Sequence, residues 1–217
     1  MSDFEPRSAA DPAGLDAAMP ARKRPKPGER RVQILQALAS MLEQPGAERI
    51  TTAALAARLE VSEAALYRHF ASKAQMFEGL IEFIEQSVFS LISQITTTGA
   101  GDGRQQVARI VAMLLQFGEK NPGMARVMVG DALVFENERL QQRMNLFFDK
   151  IESVLRQSLR DGALGEGSST PGLDAQVQAV VLTAFVVGQL QRFTRSGFRR
   201  VPTDKLDACL SRMLFVA

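Results

Sequence analysis

Apolar residues recur every three or four positions along most of this chain. The longest such series runs from Phe77 to Ile95, and another runs from Leu140 to Leu155. This spacing places each series on one face of an α-helix, whereas a half-buried strand alternates apolar and polar positions. Because no segment shows that alternation, the sequence predicts an all-α fold.

Segments rich in glycine, proline and serine separate the predicted helices. They lie at 44–46, 99–103, 120–123 and 161–172, where such residues favour turns and loops. The sequence between them predicts helices over 29–42, two short helices within 51–70, and further helices near 72–96, 107–115, 124–133, 137–160, 173–195 and 203–215.

The segment 51–70 has the pattern of two short helices joined by a turn. Thr51 or Thr52 can cap the first helix and Ser62 the second, because each side-chain oxygen can accept from an unpaired backbone N–H. The spacing of the apolar residues fits a helix-turn-helix, whose second helix enters the DNA major groove. These apolar residues are Leu55, Ala56, Leu59, Val61 and Leu66.

The same segment resembles the DNA-binding motif of the TetR family of bacterial regulators. One position departs from the family pattern: Glu60 stands in the turn where glycine is usual. A left-handed backbone there costs an ordinary residue about 1–2 kcal/mol, so we expect local strain in an otherwise intact motif. The shared residues are Thr51-Thr52, Leu55-Ala56, Val61-Ser62, Leu66-Tyr67, His69-Phe70 and Ser72-Lys73.

Positive charge is concentrated beside this motif. Residues 22–73 contain ten Lys and Arg against five Asp and Glu, whereas residues 74–217 contain fifteen of each. Phosphate binding requires such a local excess. We interpret the run Arg22–Lys26, with Arg30 and Arg31, as an arm that contacts DNA. The alternative is a solvated basic tail that aids solubility.

The first half of the recognition helix should lie nearest the base edges. There the methyl groups of Ala64 and Ala65 can pack on thymine, and Glu63 can accept from cytosine or simply favour the helix N-terminus. Arg68, one turn later, can reach guanine or a flanking phosphate. These residues are therefore the candidates for reading sequence.

Phosphate contacts are implied by the family resemblance. In the family, the positions of Tyr67, His69 and Lys73 hold backbone phosphates. Independently of the family, Thr51 and Thr52 at a helix start can present hydroxyl groups and backbone amides to phosphate on the other side. The alternative for Tyr67 and His69 is a packing role in the core.

The C-terminal half resembles the nucleoid occlusion branch of the same family. That resemblance implies a dimer that binds palindromic chromosomal sites, with one or several dimers per site. It further implies that the DNA-bound protein antagonises the division protein FtsZ, whose C-terminal tail docks along the long fourth helix. The segments that carry the resemblance are Leu80–Glu85, Phe117–Gly123, Ala132–Glu136, Arg139–Gln141, Arg192-Phe193 and Pro202–Asp204.

Helical geometry also separates Phe83 from the core face of the fourth helix. At 100° per residue, Phe83 lies about 120° from the apolar series and close to Met76. An aromatic ring there either packs on the following helix or lines a partner groove. With the resemblance added, we assign Met76 and Phe83 to the partner surface.

A homodimer is expected, because two recognition helices must reach successive major grooves about 34–36 Å apart. The last two predicted helices should form the interface, with Gly188 allowing close approach. The residues assigned to it are Val177, Val180, Val181, Phe185, Gly188, Phe193, Leu206, Leu210 and Met213.

These inferences divide the chain into three parts. Residues 1–28 contain five prolines and no apolar period, which predicts a disordered basic arm. Residues 29–73 form the predicted DNA-binding domain. Residues 74–217 form the predicted partner-binding and dimerisation domain.

The sequence argues against catalysis and against a bound cofactor or metal. The glycine-rich stretches 99–103 and 165–167 lack the preceding strand and the following Lys-Ser/Thr of a phosphate-binding loop. No spacing typical of a zinc site occurs, and the single histidine lies in the recognition helix. With one cysteine, no signal peptide and no run of 18 apolar residues, we expect a cytoplasmic, nucleoid-associated protein that does not span a membrane.

A ligand-responsive TetR-type transcriptional repressor is the alternative function. It would hold an effector in a pocket among the helices between residues 73 and 160. Buried polar groups converging on such a pocket would favour the repressor. A solid apolar core with an exposed groove beside Phe83 would favour the division inhibitor.

Overall fold

The computed structural model describes residues 28–44, 50–98, 102–163 and 170–214. Every regular element in these ranges is helical, which confirms the all-α prediction. The predicted arm lies outside them apart from Gly28, as do parts of the predicted loops. The helices are α1 Glu29–Leu42, α2 Thr52–Arg58, α3 Glu63–Tyr67, α4 Lys73–Thr97, α5 Gly103–Lys120, α6 Pro122–Met128, α7 Glu138–Ala163, α8 Pro171–Arg195 and α9 Leu206–Leu214.

The first three helices form a small domain around one apolar centre. Side-chain caps begin its short helices: Thr51 accepts from the Ala54 N–H at 3.1 Å, and Ser62 accepts from the Ala65 N–H at 3.3 Å. Thr51, and not Thr52, is therefore the cap of α2. Burial of apolar side chains from all three helices then holds the domain together. The buried residues are Ile34, Leu38, Leu42, Leu55, Ala56, Leu66 and Phe70.

Helix α4 joins this domain to the rest of the chain. Its start is capped by Ser72, which accepts from the Gln75 N–H at 3.2 Å. Further along, a β-carbon at Gly79 would lie 3.2 Å from the Phe70 ring and 3.3 Å from Leu35, so α4 packs closely on α1. Later turns of α4 pack on α5 and α7. The boundary predicted after residue 73 thus falls inside the first turn of α4.

The C-terminal helices enclose an apolar core between α4, α5, α7 and α8. Phe147 lies at its centre, with ring contacts to Phe89 at 5.7 Å and to Phe148 at 5.1 Å between centroids. Within the described ranges, the buried polar side chains are Ser158, Thr183 and Thr194. The core is filled by apolar side chains that include Leu80, Ile81, Ile84, Val88, Val107, Ile110, Val111, Leu114, Leu115, Ile151, Leu155, Leu182 and Val186.

Several predicted helix ends are wrong, and backbone conformation explains two of them. The helix expected over 124–133 stops at Met128, because Gly130 adopts a left-handed φ of 82° before a 3₁₀ turn at Asp131–Leu133. Helix α9 begins three residues later than expected, after Lys205 with φ 57°. The loop expected from residue 161 starts later, since α7 continues to Ala163.

Helix α8 leaves an apolar stripe exposed along its outer face. Leu173, Val177, Val180 and Val181 are exposed, whereas the opposite face is buried in the domain. By length and composition alone, Gly172–Arg195 could cross a membrane. Its packing along α5 and α7 instead makes it a helix of this domain with one uncovered face.

Three residues predicted for the dimer interface lie inside the subunit. Phe193, Leu206 and Leu210 are buried by contacts within the chain, so a second subunit cannot pack on them without rearrangement. For example, the ring centroids of Phe193 and Phe198 are 5.2 Å apart. The exposed stripe of α8 remains available for the predicted interface, and a side chain at Gly188 would meet open space.

Candidate nucleic-acid and partner interfaces

The recognition helix α3 turns one face to its own domain and the other to solvent. Leu66 and Phe70 are buried, while Tyr67, Arg68 and His69 are exposed. Tyr67 retains 45% of its surface. This exposure overturns the alternative core role for Tyr67 and His69 and leaves all three side chains accessible to DNA.

The start of α3 is also accessible. Glu63 and Ala64 are exposed, and Ala65 is half-buried. Thr52 Oγ1 donates to Glu63 Oε2 at 2.5 Å, which ties the first turn of the recognition helix to α2. Because the Thr52 hydroxyl hydrogen is used in this bond, Thr52 is a poorer phosphate donor than predicted. Thr51 accepts a hydrogen bond as the α2 cap, and its own hydroxyl hydrogen is left for phosphate.

The turn between α2 and α3 has the strained geometry expected of it. Glu60 adopts a left-handed φ of 54°. Its N–H donates to the Ala57 carbonyl at 3.1 Å, and the Val61 N–H donates to the Ala56 carbonyl at 3.0 Å. This pair of bonds is the Schellman ending of a helix, a motif that normally uses glycine at the left-handed position. The backbone bonds therefore hold Glu60 where glycine is usual.

Arg31 stabilises the end of the recognition helix. Its Nη1 donates to the His69 carbonyl oxygen at 2.9 Å, and its guanidinium carbon lies 4.2 Å from the centroid of the Phe70 ring. Arg30 donates to Gln33 on its own helix at 2.9 Å. Arg31 therefore positions the end of the recognition helix, in addition to its predicted contact with DNA. Its place in the sequence did not indicate this second role.

Lys73, a predicted phosphate ligand, is engaged within the protein. Its Nζ lies 2.5 Å from Glu136 Oε1, in the segment just before α7. Two further ion pairs connect α4 to α7 itself, Arg139 with Glu78 and Arg143 with Glu85. The Glu85 carboxylate raises the pKa of Arg143 through its hydrogen bond, which favours the charged form of the guanidinium. Sequence analysis missed this connection between α4 and α7.

The predicted partner surface is divided by the structure. Phe83 is 48% exposed, but Met76 is fully buried. The two residues lie on nearly the same face of α4, but that face is buried at Met76 and exposed at Phe83. Assigning Met76 to a partner contact is therefore wrong. Leu91, about two turns beyond Phe83 on the same helix, is also exposed.

An enclosed effector pocket is not evident among the described residues of the C-terminal core. A cleft of about 590 Å³ lies where α4 ends and α5 begins, lined by Thr96, Asp102, Gln106, Gln157, Ser158 and Asp161. Of these polar groups only Ser158 is buried. Groups of histidine, cysteine or carboxylate able to hold a metal are also absent from the described ranges.

Two family descriptions match the two halves of the chain. Residues 34–80 match bacterial regulatory proteins of the tetR family, and residues 102–215 match the SlmA-like, tetracyclin repressor-like C-terminal domain. The chain is 52% identical over 179 residues to the nucleoid occlusion factor SlmA of Vibrio cholerae, covering 82% of this chain and 90% of the relative. It is 50% identical to SlmA of Aliivibrio fischeri, covering 84% and 93%.

Solved structures of regulators share the same fold. The fatty acid degradation regulator FadR of Bacillus halodurans superposes with a TM-score of 0.70 at 15% identity, covering 86% of this chain and 95% of that one. FadR of Bacillus subtilis, solved in complex with stearoyl-CoA, gives a TM-score of 0.66 at 13% identity, covering 85% and 97%. At these identities the likeness establishes the architecture alone.

Proposed function

This chain belongs to the SlmA nucleoid occlusion factors of the TetR family, and we propose that it binds palindromic chromosomal DNA and, while bound, antagonises FtsZ assembly. Septum formation would then be blocked over the nucleoid. The observation that carries the proposal is about 50% identity to proteins of that name across both halves of the chain. The protein would act in the cytoplasm, on the nucleoid.

The exposed face of α3 supports the DNA-binding step. Arg68 stands at the end of the recognition helix with solvent around it, while Tyr67 and His69 flank it. Phosphate contacts from the flanking residues would fix the orientation of the helix, and base contacts from Glu63, Ala64 and Arg68 would select the sequence. Arg31 holds the His69 carbonyl and so limits movement of this end of α3.

The uncovered stripe of α8 supports a homodimer. Exposed contiguous apolar surface on a soluble domain marks a contact with another protein. A second copy of α8 across a two-fold axis would cover Val177, Val180 and Val181. Such a pair would also supply the two recognition helices that a palindrome requires.

The exposed apolar side of α4 supports a separate surface for the FtsZ tail. Phe83 and Leu91 are both exposed on this helix, with the exposed carboxylate of Glu82 beside Phe83. Aromatic side chains in such positions often dominate binding energy at protein interfaces. The surface is distinct from α3, so DNA and FtsZ could be held together.

The ligand-responsive repressor is less well supported. Its effector would need a cavity among α4, α5 and α7, and the side chains buried between these helices are mostly apolar. The FadR structures share the fold, but their identity to this chain is too low to transfer a ligand. We therefore propose a single function.

Light scattering of FtsZ with GTP tests the proposal directly. The protein alone should have a weak effect, and the protein with a selected palindromic duplex should reduce the scattering signal. Arg68→Ala should require more duplex for the same effect, because it binds the site less tightly. Scattering that is unchanged by the protein, with or without duplex, would refute the proposed function.

A further inference from the structure

The ion pair between Lys73 and Glu136 joins the DNA-binding end of α4 to the C-terminal domain. Lys73 is the first residue of α4, three residues after Phe70 of the recognition segment. Its ammonium group lies 2.5 Å from Glu136 Oε1, with 27% of the lysine side chain and 10% of the glutamate side chain exposed. We propose that Glu136 and DNA phosphate compete for Lys73, so that DNA binding opens this contact and frees the segment before α7.

The proposal follows from the chemistry of the two acceptors. A lysine ammonium is a compact charge on a flexible stem, and it binds carboxylate and phosphate oxygens alike. Lys73 also keeps enough exposure to swing toward solvent. Glu136, in contrast, is mostly covered, so losing its cation leaves a poorly solvated carboxylate. That penalty opposes DNA binding in the wild-type protein.

The other two pairs explain why only this contact would respond to DNA. Glu78 pairs with Arg139, and Glu85 pairs with Arg143 through two hydrogen bonds of 3.3 and 2.6 Å. At about 1.5 Å per residue, Glu85 lies about 18 Å further along α4 than Lys73. Helix α7 therefore stays attached to α4 while the first contact opens.

The freed segment carries a conspicuous apolar surface. Val134 and Phe135 directly precede Glu136 and are 61% and 67% exposed. Val134 borders a cleft of about 700 Å³ that is also lined by Met144, Phe148 and Val187. Release of Glu136 would let this segment change position relative to the cleft. The inference rests on the proposed function only in that DNA is the ligand. Through the release of Glu136, DNA binding would change the conformation of the C-terminal domain.

The test compares Glu136→Gln with Glu78→Gln, since each removes the negative charge of one ion pair that α4 makes with α7 or with the segment before it. Affinity is measured with a random-sequence duplex, because phosphate contacts carry no sequence information. Glu136→Gln should bind this duplex about three- to tenfold more tightly than the wild type, the effect of removing one partly buried competitor. Glu78→Gln should change affinity less. If both variants gain equally in DNA affinity, the change in net charge explains the gain and the proposal is overturned.

A double-variant comparison identifies Lys73 as the group in competition. Lys73→Met should bind less tightly than the wild type, and its log–log salt slope should fall by about one. Glu136→Gln added to Lys73→Met should give no further gain. A gain that persists without Lys73, or a salt slope unchanged by Lys73→Met, would show that Lys73 does not exchange partners.

Fluorescence reports the movement itself, because the chain contains no tryptophan. In a Phe135→Trp variant, adding the duplex should shift the emission. The same shift should already be present without DNA when Glu136→Gln is combined with it. If neither DNA nor Glu136→Gln changes the tryptophan emission spectrum, the proposal is overturned even if DNA binds. None of these experiments includes FtsZ. A negative result here therefore contradicts the Lys73 exchange without contradicting the proposed effect on FtsZ, which light scattering tests separately.

Discussion

Gly123 in α6 meets the Ala39 carbonyl of α1 with no room for a side chain. A β-carbon at position 123 would lie 2.0 Å from that oxygen. The contact joins the N-terminal domain to the C-terminal helices through backbone atoms, which cannot move aside as a flexible side chain can. The relative position of the two halves therefore depends on a glycine here.

Gly123→Ala should destabilise the protein by about 1–3 kcal/mol or more, because α6 and α1 must separate to admit the methyl group. Urea unfolding measures this change. Gly172→Ala is the control, since a β-carbon at that exposed position meets open space. Equal stability of the two variants would contradict the close approach of α6 to α1.

Glu60→Gly should stabilise the folded protein relative to Glu60→Ala. Both variants remove the same charge, but only glycine relieves the left-handed backbone at φ 54°. The difference should be about 1 kcal/mol in the free energy of unfolding. Thermal melting without DNA measures it. Equal melting temperatures of the Glu60→Ala and Glu60→Gly variants would show that the turn carries no conformational strain.

Phe83→Ala should leave the fold, the dimer and DNA affinity intact while abolishing the effect on FtsZ. The ring is already 48% exposed, so its removal creates no enclosed cavity. Ile84→Ala, at a fully buried neighbouring position, should instead cost about 2–5 kcal/mol. Melting, DNA titration and FtsZ scattering of both variants separate the two cases. A well-folded Phe83→Ala variant that still acts on FtsZ would place the partner site elsewhere.

Arg68→Ala and Tyr67→Phe should affect DNA binding differently. If Arg68 makes a bidentate contact to guanine, Arg68→Ala should lose about 1–3 kcal/mol of binding free energy on the selected site and little on random DNA. Tyr67→Phe should weaken binding to both duplexes equally, since a phosphate contact is independent of sequence. Fluorescence anisotropy with the two duplexes measures this. Equal losses for Arg68→Ala would make Arg68 a phosphate ligand.

Val181→Glu should convert the dimer to monomers by placing a charge in the apolar stripe of α8. The monomer should keep its helical content, because Val181 is exposed within the subunit. Val32→Glu, at an exposed valine of α1, serves as the control and should remain dimeric. Sedimentation velocity distinguishes the two. A dimeric Val181→Glu variant would move the interface away from this stripe.

Local features of this protein were determined by the sequence itself. Helix α1 spans Glu29–Leu42 as the apolar spacing predicts, and Thr51 and Ser62 cap their helices as expected. The left-handed Glu60 and the exposed Tyr67 also agree with the sequence. These features depend on sterics, hydrogen bonds and periodicity within a few residues, so neighbouring amino acids are sufficient to predict them.

Only the tertiary structure decided how those helices are used. Met76 and Phe83 share a helix face, yet Met76 is buried and Phe83 is exposed. Lys73 and Glu136 lie 63 residues apart in sequence, and no local pattern marks them as partners. Periodicity specifies the direction of a side chain from its own helix axis. What that side chain meets depends on how distant helices pack, which the local pattern does not contain.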